Sequence, residues 1–203
     1  MELNAGGVPI RLGHTKVVEE HGKIAFKETF QEPLGNLTEW LLFGSTKVPV
    51  IVFAITEKDV IVLEHFRYGA GTTLLELPGG NIENGKTAEF TVSEELGQET
   101  GFKAGVVRRL LDSPTDGMWF EPASLRTKYV PFIATSCSEQ ADLRKPESGE
   151  NINRRLFSIE TWYRMLAHGE VRDSKSYAVS ILALGFLENG IRELAMKGLT
   201  TNR

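Results

Sequence analysis

The segment VPVIVFAIT, Val48 to Thr56, is a continuous apolar run rich in β-branched residues, the pattern of a buried strand. Glu57–Lys58–Asp59 follows as a short polar turn, and VIVLEHF, Val60 to Phe66, returns as a second strand. TLLELPGG, Thr73 to Gly80, reads as a strand halted by Pro78 and two glycines. The first helix signal comes next: Thr87 suits an N-cap and Gly101 suits the position just past a helix end. GVVRRLLDS and KYVPFIATS predict further strands. A polar loop runs from Ser138 to Asn151, and INRRLFS predicts one strand more. Two helices are expected to close the chain, one after Ser158 and a longer one after Asp173 through SKSYAVSILALGFLE.

Ahead of this core, from about His14 to Phe43, short strand-like runs alternate with turns. HTKVVEEHGKIAFKETF carries a hairpin signature at His21–Gly22–Lys23, and LTEWLLF follows a turn around Pro33–Gly35. Strands, a helix, strands again and closing helices predict an α+β fold, a mixed sheet flanked by helices. Residues 1–45 form a β-rich arm or subdomain, either packed beside the main domain of residues 46–203 or exchanged with a second subunit.

Composition narrows the class. Of 203 residues, 41% are hydrophobic and 25% charged, which permits a core without disulfides or a structural metal. The net charge of -4 gives no basic field for nucleic-acid phosphates. Cys137 stands alone, which excludes an internal disulfide and any multi-cysteine metal site and fits a reducing compartment. No apolar run approaches the roughly 18 residues of a membrane helix, and MELNAGGVPI has no signal-peptide character. A soluble cytoplasmic protein without membrane or nucleic-acid partners is expected.

The chemistry concentrates in ELPGGNIENGKTAEFTVSEELGQETGF, Glu76 to Phe102. Pro78–Gly79–Gly80 lets the backbone turn sharply and expose carbonyls. Glu95 and Glu99, four residues apart, project from one helical face and repel each other there. Beneath a glycine-rich loop that repulsion suits a divalent cation with oxygen ligands, Mg²⁺ or Mn²⁺. The same spacing also suits a solvated acidic face.

This segment resembles a Nudix box, G-x5-E-x7-R-E-U-x-E-E-x-G-U with U apolar. Gly80, Glu95, Leu96, Glu99, Gly101 and Phe102 match it; Lys86 stands where the family has Glu, Glu94 where it has Arg, and Gln98 where it has the first Glu of the pair. The order of VPVIVFAIT, VIVLEHFRYGAGTTLLELPGG and the box is similar to that of ADP-ribose pyrophosphatases. So are the closing helices, and the likeness covers roughly residues 38 to 188. It implies the Nudix fold, an α/β/α sandwich, with a small N-terminal β subdomain. It also implies a metal set of Gly79, Glu95 and Glu99, with Gln98 in place of a metal-binding acid. Arg67 and Glu76 would lie at the nucleotide site. Glu150, or Glu147 in the same loop, would take the proton from the attacking water. Trp40 is either a base-stacking residue of the N-terminal region or an aromatic packed in its sheet.

Lys86 and Glu94 are the family's bracing ion pair with its signs exchanged, or two independent changes that followed loss of activity. Gln98 keeps one neutral carbonyl oxygen and removes a full negative charge from the site. The implied function is metal-dependent hydrolysis of a nucleoside diphosphate linked to a sugar, ADP-ribose first, by a homodimer. The alternatives are a Nudix-fold module that binds a nucleotide or nucleotide sugar without cleaving it, and a Nudix-fold enzyme of different chemistry. His14, His21, His65 and His168 are dispersed without metal-ligand spacing.

Overall fold

In the computed structural model, which describes residues 7–112, 117–140, 142 and 151–201, the chain first reverses at His21 and Gly22. Both have positive φ, 48° and 72°, the backbone of a two-residue hairpin turn whose twist matches its strands. The hairpin joins β1 (Ile10–Glu20) to β2 (Lys23–Gln31), and β3 (Leu37–Ser45) completes an antiparallel three-stranded sheet.

The chain divides into two compact units, Met1–Val48 with Trp119–Lys128, and Pro49–Met118 with Tyr129–Arg203. The returning segment of the first unit is tied to β3 by backbone bonds from Phe43 to Ser124 (2.8 Å) and from Arg126 to Phe43 (2.6 Å). Arg126 also pairs with Glu28, a carboxylate only 2% exposed that Arg11 approaches at 3.6 Å. A carboxylate buried this deeply is stable as an anion only with such partners. Leu12, Val17, Val18, Leu37, Trp40 and Leu41 are each more than half exposed.

The second unit is built on β4 (Val50–Ile55), β5 (Asp59–Arg67), β6 (Thr72–Glu76), β7 (Phe102–Lys103) and β8 (Val106–Arg109). After the two-residue β9 (Met118–Trp119) come β10 (Lys128–Thr135), β11 (Ser138–Glu139) and β12 (Ile152–Ser158). The main sheet runs β12–β5–β4–β10–β8, with β6 also paired to β5. β4 and β10 are parallel, and the pairings of β5 with β4, β6 and β12, and of β10 with β8, are antiparallel; the sheet is therefore mixed, as expected.

Every residue of β4 is buried. Val50, Val52 and Ala54 face Val92 and Leu96, whereas Phe53 points the other way and meets the ring of Tyr163 at 6.0 Å. Full burial of such a Val, Ile or Phe is worth about 1.5–3 kcal/mol, which is why an uninterrupted apolar strand can sit between two helical layers.

The helices are α1 (Ala88–Glu95), α2 (Ile159–Ala167), α3 (Ser174–Ala183) and α4 (Asn189–Thr200). Thr87, Ser158 and Asp173 cap the first three, each accepting a bond from the backbone N–H three residues on. Three helices close the chain, not two. α3 ends at Ala183 in a 3₁₀ turn, Leu184–Phe186, and α4 follows. Gly198 lies inside α4 where α2 passes close by: a Cβ there would stand 2.2 Å from the Glu160 carbonyl oxygen. Among the described residues no helix is long and apolar enough to cross a membrane.

Candidate active site

Beyond β6 the chain runs on as a narrow strip, Leu77 to Gly80, beside β4. The carbonyls of Pro78 and Gly80 accept from the amides of Val52 and Val50, both at 2.9 Å. Alternation along an extended backbone turns the amides of Leu77 and Gly79 the opposite way. The Gly79 N–H donates to Glu99 Oε2 at 2.9 Å, and the Leu77 N–H to Ser176 Oγ at 2.7 Å.

The two glycines are required for space rather than for an unusual φ, since neither has a positive one. A Cβ on Gly79 would lie 2.1 Å from the Val50 carbonyl oxygen, and one on Gly80 would lie 1.9 Å from Glu95 Oε1. The expected sharp turn is thus a close approach, of backbone on one residue and of a carboxylate on the next.

Glu95 ends α1, and the helix then widens into a π turn, Leu96–Thr100, closed by Gly101 at φ 75°. Insertions of this kind are frequent at functional sites. Glu95 comes to lie over Gly80 and Glu99 against Gly79, so the two carboxylates address consecutive residues of the strip. Glu99 is 5% exposed, and Gln98 is half-buried in the same turn. Among the described residues no three His, Cys, Asp or Glu side chains form a group able to hold a metal ion.

Arg67, the last residue of β5, makes a forked ion pair with the buried carboxylate of Glu76. Nε lies 2.8 and 3.0 Å from the two oxygens, and Nη2 2.5 Å from Oε2. The hydrogen bond that Arg67 donates to Glu76 is the largest influence raising the Arg67 pKa, and the charges of Glu76, Asp173 and Glu99 add to it. The Arg67 side chain remains 44% exposed.

Lys86 and Glu94 meet. Lys86 Nζ is 2.6 Å from Glu94 Oε2 and 2.8 Å from Glu83 Oε2, and these hydrogen bonds, Glu83 first, push its pKa up to about 12. The loop is therefore fastened to α1 by an ion pair of reversed sign, with Glu83 as a second acid.

Trp40 belongs to the three-stranded unit, opposite Glu28 in register and 54% exposed. With Pro9, Phe30, Leu42 and Pro122 it lines a groove of about 410 Å³. Glu150 and Glu147 lie outside the described residues. Cys137 is buried, and burial pushes its thiol pKa up to about 12.

Two polar residues near the strip escaped the sequence reading. Asp173 (6% exposed) and Ser176 (fully buried) were read only as the start of a closing helix. The available signal was the spacing of Asp173, Ser176 and Ser180, which places three small polar side chains on one face of α3.

A family profile described as the NUDIX domain matches residues 45–178. Over 137 residues the chain is 26% identical to ADP-ribose pyrophosphatase of Bacillus subtilis (strain 168), covering 66% of this chain and 71% of that protein. It is 31% identical over 91 residues to ADP-sugar pyrophosphatase of Mus musculus, covering 39% and 42%. In fold it is similar to a solved structure described as an ADP compounds hydrolase. The TM-score is 0.76 at 14% sequence identity, over 91% of this chain and 96% of that one.

Proposed function

Because this chain belongs to the Nudix family, a hydrolase acting on nucleoside diphosphate compounds, we propose that it cleaves the diphosphate of ADP-ribose or a related nucleotide sugar with Mg²⁺ or Mn²⁺ bound. The observation that carries the reading is the convergence of Glu99, Glu95 and the Arg67–Glu76 pair on one backbone strip. The pyrophosphatase names of the relatives point to the same substrate class.

Glu95 and Glu99, with the Gly79 carbonyl and the Gln98 side-chain oxygen, would hold the cation. Two carboxylates and neutral oxygens fit a hard ion that keeps several waters. When bound, such an ion neutralises diphosphate charge and acidifies a water. The protein's own groups do the rest. Glu76 fixes the Arg67 fork, leaving the Nη1 edge of the guanidinium to bind phosphate. Lys86 and Glu94 hold the loop against α1. Glu150, with Glu147 as the alternative, accepts the proton of the attacking water. Trp40 contributes to base recognition. The exposed apolar side chains of the three-stranded sheet would suit a second copy of the chain, and a homodimer in the cytoplasm is the proposed working form.

The test is a panel of nucleoside diphosphate compounds with Mg²⁺ or Mn²⁺, following release of nucleoside monophosphate, in wild type and Glu99→Gln. Glu99→Gln keeps an acceptor for the Gly79 amide but loses the charge, and turnover should fall on the order of 100-fold or more. Equal turnover in the two proteins would sink the assignment of Glu99. Binding of ADP-ribose without turnover, in wild type supplied with either metal, would favour the non-hydrolytic module that Gln98 suggests.

A further inference from the structure

The strip from Leu77 to Gly80 has two supports on the side away from β4. One is Glu99, which the functional reading already uses. The other is Ser176, and it stands to Leu77 as Glu99 stands to Gly79: each accepts the outward-facing backbone amide, at 2.7 and 2.9 Å.

Ser176 is itself held. Its hydroxyl donates to Asp173 Oδ2 at 2.7 Å, and its backbone N–H reaches the same oxygen at 2.9 Å. With its proton given to Asp173, the Ser176 oxygen is left facing Leu77 as an acceptor, and its orientation is not free to change. Asp173 in turn is tied by Lys175 and caps α3. One turn further along α3, Ser180 Oγ donates to the Ser176 carbonyl at 2.7 Å and accepts from Trp162 Nε1 at 3.0 Å. Asp173 reaches the site electrostatically too. Its charge supports the Arg67 guanidinium after that of Glu76, and after burial it is the second influence raising the Tyr129 phenol.

Three features separate this arrangement from ordinary core satisfaction. Ser176 is fully buried and Asp173 nearly so. The amide they hold belongs to the residue directly after Glu76 and two before Gly79, so a shift of Leu77 moves both. The carbonyls of Pro78 and Gly80 are fixed to β4 and the amides of Leu77 and Gly79 are held from the opposite edge by Ser176 and Glu99, so the strip is located by bonds on both sides and loses one of its two outer anchors without Ser176.

We propose that Asp173 and Ser176 are positioning residues for hydrolysis: the Asp173–Ser176 pair sets the Leu77 amide, and through it the Glu76 carboxylate and the Gly79 backbone. The proposal rests on the functional reading above. Misplacement of a supported group by even 1 Å is worth up to about 100-fold in rate, and loss of an outer supporting partner about 10–100-fold.

The experiment compares Ser176→Ala with Ser180→Ala. Both serines are fully buried on α3 and each substitution removes a hydroxyl that makes two hydrogen bonds, yet Ser180 bonds to Trp162 and to the Ser176 carbonyl and not to the strip. Ser176→Ala should lower kcat about 10-fold or more with KM moved less than about 3-fold, and should weaken Mn²⁺ binding measured by calorimetry. Ser180→Ala should leave kcat and Mn²⁺ affinity within about 2-fold of wild type while losing comparable stability. Asp173→Asn, which keeps an N-cap acceptor and loses the charge, should shift both readouts in the direction of Ser176→Ala, and it serves if that variant does not fold. Equal effects of the Ser176 and Ser180 substitutions on both readouts would overturn the proposal. A wild type that binds Mn²⁺ but cleaves nothing in the panel overturns the hydrolase reading instead. The calorimetric contrast between the two serine variants then still decides the positioning role.

Discussion

Replacing Gly79 or Gly80 by alanine adds the same methyl group, but the two variants should fail differently. At Gly79 the new Cβ meets backbone, 2.1 Å from the Val50 carbonyl oxygen and 3.1 Å from Ile51 Cα. β4 is fully buried and cannot yield, so the strip must move away, stretching the bonds from Val50 N to Gly80 O and from Val52 N to Pro78 O. Overpacking costs about 1–3 kcal/mol, and each weakened backbone bond about 0.5–1.5 kcal/mol. Together they come to roughly 2–6 kcal/mol; at about 2–4 °C per kcal/mol for a chain of this size, the midpoint should fall by roughly 5–20 °C. At Gly80 the clash is with the end of a side chain, 1.9 Å from Glu95 Oε1 and 2.2 Å from Cδ. Glu95 can rotate aside, so the fold should lose no more than about 1 kcal/mol. Activity with Mn²⁺ should nevertheless fall about 10–100-fold, because a displaced carboxylate no longer faces the strip.

Thermal unfolding by circular dichroism, alongside nucleoside monophosphate release, measures both effects in one preparation. A Gly79→Ala protein melting within about 2 °C of wild type would refute the backbone argument. A Gly80→Ala protein that keeps wild-type turnover would refute the placing of Glu95 over Gly80.

The remaining predictions concern the bracing pair and the cysteine. Lys86→Glu and Glu94→Arg each set like charges together, and the double variant should recover stability lost by either; additive effects in urea unfolding would mean the pair does not couple. The Lys86 pKa is raised, so its contribution is fully present below the ordinary value near 10.5 and is lost as pH rises through about 12. The coupling should therefore persist from pH 7 to 10 and fade only above that, and a cycle that vanishes by pH 9 would contradict the contact. Cys137, with its thiol pushed up to about 12 and buried, should resist iodoacetamide at pH 8 in the folded protein and react in urea; native labelling detected by mass spectrometry would contradict its burial.

The parts of this molecule legible in its sequence are those governed by local rules. Val48 to Thr56 announces a buried strand because both faces of β4 are covered, and Thr87 and Gly101 delimit the box helix because caps and left-handed ends are local chemistry. The Lys86–Glu94 contact could be suspected from the sign exchange alone, but its second acid, Glu83, depends on how the loop folds back. α4 lies beyond the last helix the sequence predicts, and the missing side chain of Gly198 answers a helix distant in sequence. The same limit hid the supports of the strip. Ser176 lies 99 residues from Leu77, and nothing near either residue foretells the bond between them. The π turn was likewise invisible, since Glu95 and Glu99 keep α-helical spacing in the sequence; only against Gly79 and Gly80 does the widening have a consequence. Box residues can thus be matched by pattern, while the scaffold that aims them is long-range. An altered box such as this one is better judged by whether that scaffold is intact than by how many of its letters survive.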